Sequence, residues 1–107
     1  MRVFLDECVD RRLARDIVGH EVKTAREQGW TGIANGRLLA LVAEGFDVFA
    51  TVDRNLSFQQ NLRSLSIAII VLHAKTNRLA DLRMLVPELL VTIAAGLPGV
   101  ATIVGPT

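Results

Sequence analysis

Two acidic positions stand out in this chain, Asp6 and Asp53, because each directly follows a short apolar run. Carboxylates gathered at one point repel one another unless protons or a cation intervene. A hard divalent ion such as Mg²⁺ or Mn²⁺ answers that need, since it takes one or two carboxylates and keeps positions for water and phosphate oxygens. Such an ion can activate a water and steady an in-line displacement at phosphorus. The plainer alternative is that each Asp only caps the helix that follows it, a common use of Asp in α/β proteins.

Other polar residues cluster around these two. Glu7 leaves the strand end in a different direction from Asp6, as a ligand, a water-mediated partner or a solvated side chain. Arg54, Asn55, Gln59, Gln60 and Asn61 follow Asp53 at once, and such side chains bond phosphate, sugar or base edges. An ordinary polar loop would look the same. Arg11, Arg12 and Arg15 could meet a phosphate backbone, with a solvated helix face as the plainer account. His73 and Lys75 follow a fourth strand on the same rim, and Glu44 near a helix end reads as surface.

Strands must bring these residues together. Arg2 to Leu5 predicts a buried first strand, Glu21 to Thr24 a brief second and Asp47 to Val52 a third. Ser66 to Leu72 is an unbroken apolar Ile/Val run, expected where both sheet faces are covered, and Val100 to Val104 predicts an edge strand. Helical periodicity fills the intervals. Val9, Leu13 and Ile17 form one stripe closed by Gly19, and Asn35 is placed to cap a helix carrying Leu38, Leu39 and Val42. Gln28 to Gly32 reads as a loop, and Asn55 to Asn61 as a polar segment with one helical turn. Asn77 is placed to cap a helix running through Ile93, which Pro87 should kink or split.

This alternation predicts one domain over residues 1–107, a three-layer α/β/α sandwich on a mostly parallel sheet of 4–5 strands. Ligands in such sheets bind beyond the carboxyl ends of the strands, near the switch point. If strands one and three are neighbours, in a 2-1-3-4 order, Asp6, Glu7 and Asp53 fall on one patch.

Composition narrows the classes. Half the residues are hydrophobic, mostly aliphatic, with four Phe, one Trp and no Tyr, which suits helices on a buried sheet better than an aromatic ligand cage. Basic and acidic residues nearly balance, at 12 and 11, so net charge argues for no partner class. The cations are mostly arginine, the better bidentate phosphate binder. The single Cys8 excludes an internal disulfide and a multi-cysteine zinc site. Asp6 and Glu7 come too early for a signal peptide, and Leu89 to Leu97 is shorter than the roughly 20 residues that span a bilayer, so the expected location is the cytoplasm.

Taken in order, Arg2-Val3-Phe4-Leu5-Asp6-Glu7 and Ala50-Thr51-Val52-Asp53-Arg54-Asn55-Leu56 resemble the small PIN-like domain family of bacteria, related to PIN-domain nucleases. The likeness extends through Gly29-Trp30, Asn35-Gly36, Gln59-Gln60-Asn61 and Leu72 to Leu82, nearly the whole chain. The resemblance implies a PIN-like, Mg²⁺- or Mn²⁺-dependent ribonuclease, with Asp6 and Asp53 as active-site acids that ligate the metal and Glu7 assisting. Arg54, Asn55 and Gln60 would hold the RNA. It also implies the toxin of a toxin–antitoxin pair, restrained by a small antitoxin protein. PIN nucleases gather further acids, one on a central helix, and here only Glu7 and Glu44 could supplement the pair.

Two rivals belong to other classes. A non-catalytic interaction module would use the acids as caps and its Leu/Val/Ile-rich C-terminal helix for a homodimer or an antitoxin, although covering the sheet is that helix's expected job. A receiver-like phosphoacceptor would use Asp6-Glu7, Asp53 and Lys75, but Lys75 follows the fourth strand rather than a fifth.

Overall fold

The computed structural model describes residues 1–58 and 62–106, with the side chains at 57 and 58 left aside. Five strands, β1 (Arg2–Leu5), β2 (Glu21–Thr24), β3 (Val48–Thr51), β4 (Ala68–Leu72) and β5 (Ala101–Val104), form one sheet. All pairs are parallel and the order is β2-β1-β3-β4-β5, so strands one and three are neighbours as the acidic patch requires. Parallel neighbours need crossover segments, and helices supply them: α1 (Ala25–Gln28), α2 (Asn35–Ala43), α3 (Leu79–Arg83) and α4 (Val86–Ala95).

Successive strand residues face opposite ways, and each face is covered. Val3 and Leu5 of β1 join Leu13, Ile17, Leu82, Leu89 and Ile93 on one side of the sheet. Phe4 and Phe49 join Leu38, Leu39 and Val42 on the other. Both faces are therefore dry, which makes this a three-layer α/β/α sandwich. β4 is buried along its whole length, as its continuous Ile/Val run requires. Each fully buried Leu, Ile or Phe contributes about 1.5–3 kcal/mol, so the sheet is a stiff base for whatever its strand ends carry. Phe4, Phe46 and Phe49 lie in this core, with Trp30 packed against it. Phe4 lies 5.5 Å from Phe49, 5.6 Å from Phe46 and 5.7 Å from Trp30 between ring centroids.

Several connections differ from the sequence expectation. The stripe of Val9, Leu13 and Ile17 is buried, but the helix beneath it is a 3-10 turn over Arg11–Asp16, with Leu13 bonded to the Asp10 carbonyl. α1 was not expected. Thr24 and Glu27 close a capping box around its start and Gly29 ends it in the left-handed conformation. Asn35 does not cap α2; Ala34 holds that position without a side-chain bond, which leaves the Asn35 amide free for another partner. Asn77 does not cap α3 either. Thr76 Oγ1 there accepts from the Arg78 N–H and bonds Asp81. Pro87 splits the expected long helix into α3 and α4, as its ring requires at a first helical turn. Among the described residues no helix is long and apolar enough to cross a membrane.

Candidate functional site

The strand order reverses between β1 and β3, and in such sheets ligands bind beyond the carboxyl ends of the strands at that point. Leu5 pairs with Ala50, and the next residue, Asp6, donates its N–H to the Ala50 carbonyl at 2.9 Å. Asp6 is thereby fixed beside Thr51, the only polar residue of β3. Thr51 is fully buried, and its hydroxyl joins the two acids. Oγ1 donates to Asp6 Oδ2 at 2.8 Å and accepts from the Asp53 N–H at 3.0 Å. One strand residue thus sets both the side chain of Asp6 and the main chain of Asp53.

Each carboxylate has further partners. Asp6, 7% exposed, also accepts from the Glu7 N–H on Oδ1 and from the Cys8 thiol on Oδ2. Asp53 is half-buried. Its Oδ1 accepts from the Asn55 N–H at 3.0 Å, and its Oδ2 from Asn35 Nδ2 at 3.2 Å. The first of these is a cap on the 3-10 turn Arg54–Phe58, so the plainer use of Asp53 is present in the molecule. The second is not a cap. It reaches across to the first turn of α2 and draws that helix's positive end towards the carboxylate.

Glu7 is exposed, yet one of its oxygens is held by the Gly32 N–H at 3.0 Å. It lines a cavity of about 350 Å³ together with Asp6, Asp10, Arg11 and Arg26. Asp53 does not line that cavity; its tie to Asp6 runs through Thr51. Arg54 and Asn55 are exposed beside Asp53, and Gln60 lies outside the described residues with Gln59 and Asn61. Glu44 ends α2 and is exposed.

Two neighbouring groups carry shifted proton affinities. Burial pushes the Cys8 thiol up, opposed in part by bonds to Thr51 and to the Val52 backbone, while the Asp6 carboxylate adds a smaller upward push. Cys8 is thus a protonated partner of the site at neutral pH rather than a thiolate nucleophile. His73, just past β4, is pushed down by burial and then by the charge of Arg54. Its Nε2 is buried without a hydrogen-bond partner among the described residues.

Asp6 and Asp53 are the residues of this site that could hold a hard cation. Among the described residues no three His, Cys, Asp or Glu side chains come together to hold a metal. A carboxylate offers about four acceptor positions. Asp6 uses three, from Glu7, Cys8 and Thr51, and Asp53 two, from Asn35 and Asn55. Both therefore keep lone pairs, and an ion bound through one or two carboxylates with water elsewhere is the Mg²⁺ pattern.

Sequence reasoning missed Thr51, Asn35 and Cys8. Thr51 had a signal, a hydroxyl in an otherwise apolar strand two residues before Asp53. Asn35 was misread because an Asn at a helix start looks the same whether it caps or reaches outward. Comparison with protein-family models, with curated proteins and with solved structures finds no match to this chain.

Proposed function

We propose that this chain is a PIN-like, divalent-metal-dependent endoribonuclease of the cytoplasm, acting as the toxin of a toxin–antitoxin pair. The observation that carries the reading is the pairing of Asp6 and Asp53 through one buried hydroxyl at the switch point of a parallel sheet. Asp6 and Asp53 would hold Mg²⁺ or Mn²⁺, with Glu7 at the cavity edge. When bound, such an ion supplies a water of lowered pKa and neutralises charge developing on the phosphate.

The remaining work belongs to the chain itself. Thr51 holds the Asp6 carboxylate in one rotamer, so its free lone pair has a fixed direction. Asn35 and the Asn55 N–H do the same for Asp53 from opposite oxygens. Arg54 and Asn55, on the turn that Asp53 starts, would grip the RNA phosphates, and Gln60 extends that polar segment. A small antitoxin would act by covering this rim.

A second reading, an interaction module without chemistry, is favoured by the cap that Asp53 places on Arg54–Phe58 and by the lack of a third acid among the described residues. RNA cleavage decides between them. The nuclease reading expects Mn²⁺-dependent cleavage of a mixed RNA pool by the wild type and none by Asp53→Asn. Equal cleavage by both, or cleavage in excess chelator, would contradict it, and labelling of Asp53 by a small phosphodonor without RNA cutting would point to the receiver-like alternative.

A further inference from the structure

Next to the acidic cavity lies a second recess, of about 680 Å³, walled by the 3-10 turn Arg11–Asp16 and by α1. Four arginines line it, Arg11, Arg12, Arg15 and Arg26, against one carboxylate, Glu27. That concentration is large for a chain whose net charge is only +1. Arg11, Thr24 and Arg26 line both this recess and the one holding Asp6 and Glu7, so the two spaces share a wall.

The charges are not equally available. Arg12 is clamped on Asp10 through two bonds, Nε to Oδ1 at 3.0 Å and Nη2 to Oδ2 at 2.7 Å. That clamp holds the Asp10 carboxyl down at about 2. Glu27 is committed to the Thr24 N–H in the capping box, which keeps its carboxyl below the usual range. Arg11, Arg15 and Arg26 are exposed and make no ion pair among the described residues. Three guanidiniums therefore face one recess with no carboxylate bound to their forks, Arg11 feeling only the field of Asp10, and such forks bind phosphate oxygens in pairs.

We propose that Arg11, Arg15 and Arg26 form a track for the phosphate backbone of single-stranded RNA, leading from the Arg recess to Asp6 and Glu7. The assignment rests on the ribonuclease reading for its choice of ligand. Size favours a single strand, since spaces of about 300–1,000 Å³ take molecules the size of a drug or a nucleotide, not a duplex. No aromatic side chain lines either space, so bases have no stacking platform there. Binding is then set by phosphates and counterion release. It is indifferent to base identity and steep in salt.

The test is fluorescence anisotropy of short labelled oligouridylate and oligoadenylate in chelator, with all variants built on Asp53→Asn so that cleavage plays no part. The parent binds both strands alike, and log K falls with log salt between about 50 and 200 mM. R11Q/R26Q lowers the slope by about 1.4, at about 0.7 per lost phosphate contact on a single strand, and weakens binding about tenfold at the low-salt end. R63Q/R78Q removes the same charge elsewhere and stays within about twofold of the parent. The proposal is overturned if R11Q/R26Q binds like its parent, if R63Q/R78Q loses as much, if a hairpin duplex binds more tightly, or if the parent shows no salt-dependent binding. Binding without Mn²⁺-dependent cleavage by the wild type would keep the track and remove the nuclease. Arg11 and Arg26 are exposed and unpaired, so unchanged melting of R11Q/R26Q is the control for fold.

Discussion

Replacing Thr51 by Val tests the joint between the two acids. Valine matches the shape of threonine, so it opens no cavity in the fully buried β3 position and removes only the hydroxyl. Two bonds are lost. Asp6 Oδ2 loses its 2.8 Å donor and keeps only the Cys8 thiol on that oxygen, and the Asp53 N–H loses its acceptor. A hydrogen bond to a charged group contributes about 1.5–3 kcal/mol, and an unpaired, partly buried N–H costs about 1 kcal/mol more. The better strand propensity of Val offsets only a few tenths. Thr51→Val should therefore destabilise by about 3 kcal/mol, a fall of about 10–20 °C in melting temperature for a domain of this size. Urea unfolding read by circular dichroism measures it. Thr51→Ser restores the hydroxyl and should lose only about 1 kcal/mol, for the buried methyl. The joint is refuted if Thr51→Val lies within about 0.5 kcal/mol of wild type, or if Thr51→Ser is as damaging.

Further expectations follow from the neighbours. Asn35→Ala removes the amide that orients Asp53 Oδ2, yet puts a better helix former at the start of α2. Stability should shift by less than about 1 kcal/mol while Mn²⁺ affinity and RNA cleavage fall, and a stability loss with unchanged affinity would contradict the assigned role. His73 has a folded-state proton affinity below its ordinary 6.5, so its neutral form contributes stability above that pH, and this is lost as pH falls below 6.5 through the folded value. Urea midpoints compared at pH ~7.5 and ~5 should drop more for wild type than for His73→Leu, and equal drops would show that His73 is not the group that resists charging.

Much of this molecule can be read from its residues. The apolar runs Val3-Phe4-Leu5 and Ala68–Leu72 are buried in strands because their side chains leave no polar face to turn outward. The acids that end β1 and β3 lie where the apolar pattern breaks, and parallel pairing of those strands follows from the helices between them. Other features depend on tertiary choices. A stripe such as Val9, Leu13 and Ile17 fits a 3-10 turn as well as an α-helix over so few residues. Asn35 opens α2 and Asn77 precedes α3, and neither caps its helix. Arg26 meets Arg11 and Arg15 only because α1 folds beside the 3-10 turn, and no spacing in the chain records that approach. The short helix itself left a sign, the Thr24-x-x-Glu27 box, which a search for longer periodic stretches passes over.

The central claim is that Asp6 and Asp53 form one divalent-cation site. Calorimetric titration of Mn²⁺ into the wild type, Asp6→Asn and Asp53→Asn tests it most directly, because each substitution keeps the size while removing the charge and turning one acceptor oxygen into an NH₂ donor, with melting as the control for fold. The account predicts saturable binding to the wild type and its loss in both variants with the fold intact. Absence of binding to the wild type, or binding that survives in both folded variants, would contradict it.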